Sequence, residues 1–422
     1  MRRTVLVIGG GGREHALVRA LSRSSCTPHI ICAPGNAGIA SDAECVAIDA
    51  TDPAAVADLA TRRGVDLAVV GPEAPLVAGV ADALRAAGIP TVGPSAAAAR
   101  LEGSKAFAKE VMLAAGVPTG RSETVADVAA GMAAVERFGV PVAVKADGLA
   151  AGKGVVVAHT VEEAREALEM CLTQRAFGAA GDAVVVEEGL TGNEVSLLAI
   201  CAGGSVARFP AARDYKPIGE GNTGPNTGGM GSVSPVPDIP DALADELVDA
   251  VHRPVVRELE RRGIAFNGVL YAGLMMTPDG PRVLEFNCRF GDPETQALLP
   301  RLAEDAYELF EAVAHDRLED RPVRVHEGAC VAVVLAAGGY PGTPRSGDPI
   351  SGLDEAAATG AQVLHAGTVA DAQGRIVTAG GRVLAVSQRG DTVAEARAAA
   401  YAAAGHIDWE GMQMRRDIAA GL

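Results

Sequence analysis

The sequence predicts an α/β protein of three domains, the first of which is built on a doubly wound parallel sheet. Two observations carry this prediction. Short apolar runs alternate with helical patterns over roughly the first hundred residues, as in a parallel sheet covered by helices. The chain has 422 residues, of which 48% are apolar and 21% charged, so it can form the cores of about three globular domains.

The first domain is predicted to span residues 1–102. Its strands are expected at Thr4–Ile8, His29–Ala33, Asp66–Val70 and Thr91–Gly93, with helices at 53–63 and 76–88. Polar or glycine-rich segments follow three of these strands, at the edge where open α/β sheets bind ligands. These segments are Gly9–Gly12 with Arg13, Pro34–Gly38, and Gly71–Pro75 with Glu73.

The glycine run after the first strand predicts an anion site. Gly9–Gly12 precede a helical pattern that opens at Arg13. Glycine lets backbone N–H groups approach a phosphate, and the helix dipole attracts negative charge. The dinucleotide-binding spacing G-x-G-x-x-G is absent. A tight strand-to-helix turn without a ligand remains the alternative interpretation.

The second domain, predicted at residues 103–327, contains lysines suited to a nucleotide triphosphate. Lys105 opens a helix, Lys145 ends an apolar strand, and Lys153 lies in the glycine-rich loop that follows. Such lysines can neutralise phosphate oxygens, although the P-loop spacing does not occur. Glu187 and Glu188 end the next strand, where they can accept hydrogen bonds from adenine or ribose. A solvated strand end is an equal alternative for these two residues.

A loop rich in glycine, asparagine and threonine, Asn222–Gly231, lies close in sequence to Lys216 and suits contact with an oxyanion. A flexible surface loop is the alternative. The remaining elements are expected to be helices at 161–173, 239–262 and 295–314, a hairpin at 195–202 and 206–211, and a strand at Val269–Met276. The third domain, at 328–422, is expected to contain strands Ala329–Ala336, 362–366 and 382–387, a helix at 392–404 and a candidate substrate-facing turn at Gly380–Arg382.

The strand predicted at 283–290 carries the strongest signal for chemistry. If side chains alternate regularly, Glu285, Asn287 and Arg289 share one face, together with Val283. The opposite, core-facing side then carries Leu284, Phe286, Cys288 and Phe290. Glu285 and Asn287 offer the hard oxygen ligands that Mg²⁺ favours, and Arg289 can hold a carboxylate or phosphate bidentately. Taken alone, the pattern favours an edge strand with a solvated polar face over a metal site.

Composition excludes several classes of partner. The net charge of −16 argues against nucleic acid and anionic membrane surfaces. Seven cysteines without a C-x-x-C pair suit a reducing cytosol better than a disulfide or zinc framework. The sequence shows no charged leader and no apolar run of about 20 residues, so a cytoplasmic protein is expected.

Motifs along the whole chain resemble those of the phosphoribosylamine–glycine ligases, a family of ATP-grasp enzymes of purine synthesis. The matching stretches occur in the family's order. They are GGREHAL (11–17), APGNAG (33–38), VGPEAPL (70–76), LEGSKAF (101–107), KADGLAAGKGV (145–155), TGPNTGGMG (223–231), LYAGLM (270–275), EFNCRFGDPETQ (285–296), AAGGYPG (336–342) and HAGT (365–368).

The resemblance implies an ATP-grasp core with a mobile lid at about 122–188 and a small C-terminal α+β domain. It implies the reaction of ATP, glycine and 5-phosphoribosylamine to ADP, phosphate and glycinamide ribonucleotide, through glycyl phosphate. ATP with Mg²⁺ or Mn²⁺ is the expected cofactor set. The expected partners are the two small substrates, with no nucleic acid or membrane, and the expected assembly is a monomer.

The family also implies roles for individual residues. Glu285 and Asn287 would hold the metal, and Arg289, Lys145 and Asp292 are the expected catalytic residues. The expected ATP contacts are Lys105, Lys145, Lys153, Glu187, Glu188, Leu190 and Glu194. The expected substrate contacts are Gly10, Gly11, Arg13, Asn36, Gly38, Glu73, Asp214, Lys216, Asn226, Thr227, Gly228 and Gly229.

The chain departs from the family pattern in three places. Where the family commonly reads Asp-His-Lys-Arg, this chain has Asp214-Tyr215-Lys216-Pro217, which removes a basic side chain at 217. The following loop ends Gly231-Ser232-Val233 instead of Gly-Ala-Tyr. The strand Val269–Met276 lacks the second acidic metal ligand of many ATP-grasp enzymes.

Two other functions compete with the glycine ligase. One is another ATP-grasp enzyme of purine synthesis, such as a carboxylase or a formate-using transformylase. The TGPNTGGMG and EFNCRFGDPETQ stretches count against it. The other is a non-catalytic nucleotide-binding or NAD-binding protein that uses only the first domain. The absent dinucleotide spacing and the presence of Glu285, Asn287 and the lysines count against that reading.

Overall fold

The computed structural model describes residues 3–26, 28–149 and 154–422. The first of three successive parts is a parallel sheet between helices, with strand order β3-β2-β1-β4-β5. Its elements are β1 (Thr4–Gly9), α1 (Gly12–Ser22), β2 (His29–Pro34), α2 (Ile39–Asp42), β3 (Glu44–Cys45), α3 (Pro53–Arg62), β4 (Leu67–Val70), α4 (Glu73–Val77), α5 (Val80–Ala86), β5 (Thr91–Val92) and α6 (Ala96–Gly103).

This sheet confirms the predicted doubly wound architecture and places three loops at one edge. The central strand β1 pairs in parallel with β2 and β4, and the side chains of Val5–Ile8 are fully buried. The loops after β1, β2 and β4 carry the predicted anion-binding segments. The single helix predicted at 76–88 is wrong, because Gly79 adopts φ +89° and separates α4 from α5.

The central part contains two four-stranded antiparallel sheets, with orders β6-β9-β7-β8 and β11-β10-β16-β17. Its elements are α7 (Lys105–Ala115), β6 (Ser122–Val125), α8 (Val128–Phe138), β7 (Val142–Ala146), β8 (Val155–Ala158), α9 (Val161–Leu172), β9 (Val184–Glu188), β10 (Asn193–Ala202), β11 (Ser205–Arg208), β12 (Arg213–Asp214), β13 (Pro217–Gly219), β14 (Thr223–Asn226), β15 (Gly231–Ser234), α10 (Asp241–Leu247), α11 (Arg253–Arg261), β16 (Gly268–Thr277), β17 (Gly280–Asn287), α12 (Glu294–Leu298) and α13 (Ala306–Ala314).

Two helices predicted in this part differ from those observed. A turn of π-helix, Val248–His252, joins α10 to α11 within the segment predicted as one helix. The helix predicted at 295–314 is interrupted: Leu302 leaves the helical conformation and bridges to Val325. Asp305 then starts α13 by accepting hydrogen bonds from the N–H groups of Tyr307 and Glu308.

The last part contains β18 (Ala329–Ala336), α14 (Leu353–Ala358), β19 (Gln362–His365), β20 (Thr368–Ala370), β21 (Ile376–Thr378), β22 (Arg382–Gly390) and α15 (Val393–Ala404). Its main sheet has the order β12-β15-β18-β22-β19. Strands β12 and β15 therefore come from the segment expected to belong to the central domain. Gly231 of β15 pairs with Val333 of β18, so the TGPNTGGMG loop leads directly into the C-terminal sheet.

A β-bulge in β17 corrects the predicted alternation of its side chains. Gly273 pairs with Glu285, but the next pair is Leu274 with Val283, so Leu284 has no partner in the ladder. Val283 is fully buried in the same cluster as Phe286, on the side predicted for Leu284. The bulge frees the backbone carbonyl of Leu284, which accepts a hydrogen bond from the Nζ of Lys145 on the neighbouring sheet.

Two histidines join the first part of the chain to the last. The Nδ1 of His15 accepts the backbone N–H of His365 at 2.8 Å, and the Nε2 of His15 donates to Asp42 at 2.8 Å. This pairing requires a neutral His15. Burial lowers the pKa of His15, and burial with the nearby His15 ring lowers the pKa of His365 to about 4. Burial also lowers the pKa of His252, on the central part, to about 4.

These histidines predict a stability that falls with acidification. A histidine held neutral in the fold binds fewer protons than in the unfolded chain below pH ~6.5. Each of His365 and His252 should therefore lower the free energy of unfolding by about 1 kcal/mol at pH 5.5 relative to pH 7.5. We expect the thermal unfolding midpoint to fall over this range, and to fall less steeply in His365→Asn and His252→Gln. A midpoint that does not change with pH in the parent protein would contradict the prediction. So would variants whose midpoints fall with pH as steeply as that of the parent.

Within the part of the chain that the structure describes, no helix is long and apolar enough to cross a membrane.

Candidate active site

The segment 285–294 lies where all three parts of the chain meet. It begins as the end of β17, continues through an irregular stretch and ends at the start of α12. Along it, Glu285 lies near the charges of three lysines, Arg289 binds the loop edge of the first sheet, and Asp292 contacts the C-terminal sheet.

Glu285 lies among positive charges without being paired. Burial favours its neutral form, but the charges of Lys216, Lys145 and Lys105 outweigh this effect and hold the pKa of Glu285 below its ordinary value. Its carboxylate has no hydrogen bond or ion pair with another described residue of the chain. An ionised carboxylate with free lone pairs, two residues from the amide of Asn287, fits a hard divalent cation.

The residues after strand β7 bind the N-terminus of helix α7 through Asp147 and Lys105. The hydroxyl of Ser104 accepts the N–H of Phe107 and donates to Asp147, whose carboxylate also accepts the N–H of Ala106 at 3.0 Å. The Nζ of Lys105 donates to the carbonyl of Gly148 at 3.0 Å. Burial lowers the pKa of Lys105. This arrangement places an ammonium group and a helix N-terminus side by side.

The Nζ of Lys145 donates to Glu187 at 2.5 Å and to the carbonyl of Leu284 at 3.1 Å. The other oxygen of Glu187 accepts from Lys109, also at 2.5 Å. Glu187 is only 1% exposed, so its carboxylate is enclosed between two lysines. Lys145 was expected at a phosphate site, whereas Glu187 was expected to contact adenine or ribose and instead pairs with the two lysines. Lys109 was missed, although its spacing of four residues from Lys105 places both on one helix face.

The expected adenine and ribose contacts lie at the ends of β9 and β10. The carboxylate of Glu188 accepts the backbone N–H of Arg121 at 2.9 Å and its Nε at 2.6 Å, while Leu190 is partly buried in the turn that follows. Glu194, at the start of β10, pairs with Lys216 at 2.9 Å. Lys153, also expected to bind the nucleotide, lies outside the described residues.

Lys216 lies close to Asp214, which was predicted to contact substrate. Burial, opposed by the charge of Lys216, raises the pKa of Asp214, and the nearby carboxylates of Glu294 and Glu194 act in the same direction as burial. Asp214 therefore retains its proton more readily than an ordinary aspartate. The stretch 214–216 therefore combines the cation of Lys216 with a carboxyl group, Asp214, that can donate or accept a hydrogen bond.

Arg289 binds two carboxylates from the first part of the chain. Its Nε lies 3.2 Å from Glu73 and its Nη2 lies 2.9 Å from Glu102, while Nη2 also donates to Asn287 at 3.3 Å. Burial raises the pKa of Glu102, which also accepts the N–H of Cys288 at 2.7 Å. Arg289 and Glu73 were expected in separate substrate contacts. Here they pair with each other. Glu102 was missed, although it lies inside the LEGSKAF stretch.

The glycine loop after β1 is fixed by Glu14 and Arg13. Glu14 accepts the N–H of Gly11 at 2.6 Å and the Nε of Arg13 at 2.5 Å. Arg13 is 6% exposed and donates to the carbonyl of Phe290 at 3.1 Å. A Cβ on Gly10 would lie 2.4 Å from the carbonyl oxygen of Gly35, so only glycine fits where these loops cross.

Asn36 uses its whole side-chain amide within the protein. Its Nδ2 donates to the carbonyls of Gly10 and His365 at 2.9 and 2.8 Å, and its Oδ1 accepts the N–H groups of Gly38 and Ile39. A Cβ on Gly38 would lie 2.1 Å from the ring of His365. Both residues therefore hold the loops in place, and any contact with substrate would come from their backbones.

Asp292 connects the segment to the C-terminal sheet through Arg382. Arg382 donates to the carbonyls of Asp292 and Gly228 at 2.7 and 2.6 Å, and its guanidinium lies 3.4 Å from the Asp292 carboxylate. Burial raises the pKa of Asp292, but the charges of Arg382 and Arg13 outweigh it and lower the pKa. The turn at Gly380–Arg382, expected to face substrate, thus reaches the site through its last residue.

The loop Asn222–Gly231 is more ordered than its composition suggested. Strands β13 and β14 form a two-stranded ladder in which Pro217 pairs with Asn226. The hydroxyl of Thr227 donates to the carbonyl of Lys216 and accepts the N–H of Gly229. The N–H of Gly228 donates to the Tyr340 hydroxyl at 3.0 Å. These contacts bring the predicted substrate residues of the loop to the same side as Arg382.

A buried polar group under the segment was missed. The hydroxyl of Ser196 donates to Glu294 at 2.9 Å and lies 3.0 Å from the Tyr271 hydroxyl. Glu294 is 3% exposed. Its sequence signal was present in the GDPETQ stretch, but strand periodicity could not show that β10 and β16 would place Ser196 and Tyr271 beside it.

Across the described ranges, with residues 1–2, 27 and 150–153 set aside, no three His, Cys, Asp or Glu side chains cluster as a metal cage. Glu285 and Asn287 together supply one carboxylate and one amide. A cation held here would need further ligands from water and substrate, which is the usual situation of Mg²⁺.

Three family models cover nearly the whole chain. The N domain of phosphoribosylglycinamide synthetase matches residues 3–102, its ATP-grasp (A) domain 103–295 and its C domain 330–421. The chain belongs to the phosphoribosylglycinamide synthetase family. It is therefore an α/β protein with an ATP-grasp core, as the resemblance implied.

Curated relatives and solved structures agree with this assignment. A phosphoribosylamine–glycine ligase of Streptomyces coelicolor is 55% identical over 420 residues, covering 99% of this chain and 98% of the relative. That of Escherichia coli is 45% identical over 417 residues, covering 98% and 97%. The crystal structure of the Thermotoga maritima phosphoribosylamine–glycine ligase superimposes with a TM-score of 0.85 at 33% identity, covering 98% and 100%.

The fold is shared more widely than the family. Biotin carboxylase from Campylobacter jejuni superimposes with a TM-score of 0.73 at 16% identity, covering 98% of this chain and 93% of that one. At this identity the match concerns the fold alone. The arrangement of side chains around the segment 285–294 must therefore be argued from this chain's own residues.

The pairing of Arg289 predicts a large loss of stability when its charge is removed. Arg289→Met would leave the buried carboxylate of Glu102 and the partly exposed carboxylate of Glu73 without their partner, which costs roughly 3 kcal/mol. Arg282→Met is a matched control within β17, because among the described residues Arg282 donates only to the carbonyl of Pro281. We expect a thermal unfolding midpoint lowered by several degrees in the first variant only. Equal midpoints for the two variants would refute the structural role of Arg289.

Proposed function

We propose that this chain joins glycine to 5-phosphoribosylamine with the cleavage of ATP to ADP and phosphate, forming glycinamide ribonucleotide in purine synthesis. The observation that carries the proposal is the arrangement around the segment 285–294. On one side of it, an unpaired carboxylate lies among three lysines. On the other, the glycine loop of the parallel sheet and the loop Asn222–Gly231 approach each other through Arg13, Arg382 and Asp292. One side suits a nucleotide and the other a phosphorylated sugar.

The nucleotide is assigned to the cleft between the two antiparallel sheets. Lys105 and Lys145 would neutralise its phosphate oxygens, with Lys153 as a further expected contact. Glu188, Leu190 and Glu194 would contact the adenine and ribose, whereas Glu187, whose two carboxylate oxygens accept from Lys109 and Lys145, would act through Lys145. Two of the three ammonium hydrogens of Lys145 are engaged by Glu187 and Leu284, which leaves one directed elsewhere for a phosphate.

Glu285 and Asn287 would hold Mg²⁺, or Mn²⁺ in its place. The unpaired, ionised state of Glu285 supports this choice. When bound, the cation would supply charge neutralisation to the transferring phosphate. The residues of this chain would position the phosphate groups around it, and the three nearby lysines would share the neutralisation.

Glycine is assigned to the space beside Arg289. The Nη1 of Arg289 makes only a 3.4 Å contact with the carbonyl of Phe290, so it retains hydrogen-bonding capacity for a carboxylate. Asp214, at the end of β12, and Lys216, which follows it, would complete the contacts of a small zwitterion. The carboxylates of Glu73 and Glu102 would hold the guanidinium in its orientation.

Phosphoribosylamine is assigned to the loop edge of the first sheet. The backbone N–H of Gly10 would contact its phosphate. Gly11 and Gly38, whose N–H groups donate to Glu14 and Asn36, would shape the loops around it together with Arg13, Asn36 and Glu73. Asn226, Thr227, Gly228 and Gly229 would close over the sugar from the C-terminal side. Asp292, kept ionised by Arg382 and Arg13, would accept a hydrogen bond from the sugar amine.

The reaction would proceed in two transfers. A carboxylate oxygen of glycine attacks the γ-phosphorus of ATP and ADP leaves, giving glycyl phosphate. The amine of phosphoribosylamine then attacks the carbonyl carbon of glycyl phosphate. The bond between that carbon and the phosphate oxygen breaks, phosphate leaves, and the amine nitrogen loses a proton. The lid predicted at about 122–188 would exclude water from the acyl phosphate.

The direct test is ADP release by the purified protein with ATP and Mg²⁺. Glycine and freshly prepared phosphoribosylamine are added separately and together. We expect release that requires both substrates and fails when alanine or formate replaces glycine. Release with another carboxylate would place the chain among the sister ATP-grasp enzymes, and binding of ATP without turnover would indicate a nucleotide-binding protein.

The metal assignment predicts that Glu285→Ala abolishes turnover while leaving the fold intact. The matched control is Asp279→Ala, which removes an exposed carboxylate from the turn that precedes β17 in the same hairpin. We expect the control to retain parental activity and both variants to keep the parental circular dichroism spectrum. Turnover by Glu285→Ala at the parental rate in millimolar Mg²⁺ would overturn the role of Glu285.

A further inference from the structure

Lys109 cannot itself contact the nucleotide. Its ammonium group donates to the hydroxyl of Thr119 at 2.7 Å, to the carbonyl of Gly120 at 3.3 Å and to Glu187 at 2.5 Å. These three bonds use all three ammonium hydrogens. The residue is 6% exposed. A lysine so fully engaged has a role within the protein.

The charges around Glu187 show what that role is. If Lys145 and Glu187 were alone, the ammonium and carboxylate groups would cancel, and Lys145 would present little net charge to a phosphate. With Lys109 bound to the second oxygen of Glu187, the three side chains together carry one positive charge. The only ammonium hydrogen of the group left free of protein contacts among the described residues is on Lys145.

The position of Lys109 is also fixed by the strand that carries the metal-binding candidate. Thr119, which accepts from Lys109, donates to the carbonyl of Val283 at 2.7 Å. A Cβ at position 120 would lie 2.6 Å from the Glu187 carboxylate, so glycine leaves room for that carboxylate beside Lys109. These contacts fix the position of the Lys109 ammonium group relative to both β17 and β9.

We propose that Lys109 is a positioning residue that neutralises Glu187 and so leaves the charge of Lys145 available to the nucleotide phosphates. This inference rests on the assignment of ATP to Lys145 in the proposed function. It extends that assignment to a residue that the nucleotide does not touch. It also explains why a carboxylate can lie 2.5 Å from a phosphate-binding lysine without abolishing its attraction for an anion.

The test compares nucleotides that differ only in phosphate. Binding of MgADP and of adenosine is measured by calorimetry for the parent, Lys109→Met and the double variant Lys109→Met/Glu187→Gln. Loss of one charge near the site should weaken MgADP binding by about tenfold or more in Lys109→Met. Adenosine binding should change much less. The double variant should recover part of the MgADP affinity, because it restores the net charge of Lys145.

Arg208→Met provides the matched control. Arg208 is a buried cation of the same part of the chain, paired with Asp241 and Asp245 away from β9. It should lower the unfolding midpoint without changing the ratio of MgADP to adenosine affinity. In turnover assays, Lys109→Met should raise the KM for ATP more than it lowers kcat.

The outcomes separate the inference from the proposed function. A parent protein that does not bind MgADP would refute the nucleotide assignment itself. A parent that binds, with Lys109→Met binding MgADP equally well, would refute the role of Lys109 alone. Equal losses of MgADP and adenosine, with no recovery in the double variant, would also refute it, because they would indicate a general structural effect.

Discussion

The ion pairs of Arg289 hold the site together. Its guanidinium lies at the end of β17 and binds Glu73 at the loop edge of the first sheet and Glu102 at the end of α6. A largely enclosed guanidinium, with 17% of its side chain exposed, is tolerated because both carboxylates compensate its charge. The same group contacts Asn287, which is two residues from Glu285. The metal-binding candidates are thus oriented by contacts to a domain that does not carry them.

The electrostatics of the site oppose those of the chain. The protein has a net charge of −16, yet Lys105, Lys145 and Lys216 surround Glu285 closely enough to lower its pKa. An anionic surface repels phosphates at long range, while salt screens that repulsion beyond about 10 Å. Inside the cleft the lysines are nearer and less screened. Recognition of an anionic substrate therefore depends on a few local cations rather than on the overall field.

The sequence was sufficient where a pattern has one structural meaning. Apolar runs such as that of Thr4–Ile8 fit only a buried parallel strand, and the motifs fixed the family. It was insufficient where tertiary pairing decides. Leu284 was placed on the core side by alternation, but a bulge exchanged it with Val283. Arg289 and Glu73, 216 positions apart, each looked like a substrate contact, and only the fold shows them paired.

The departure at Tyr215–Pro217 is accommodated by the C-terminal residues of the chain. Arg415 is fully buried, lies over the Tyr215 ring at 5.2 Å and donates to the carbonyl of Pro217 at 3.0 Å. The Tyr215 hydroxyl accepts the N–H of Ala419. These contacts use the ring and hydroxyl of Tyr215 and the backbone carbonyl of Pro217. The loop that follows can therefore be anchored without a basic side chain at 217, because Arg415 supplies a cation that contacts Tyr215 and Pro217.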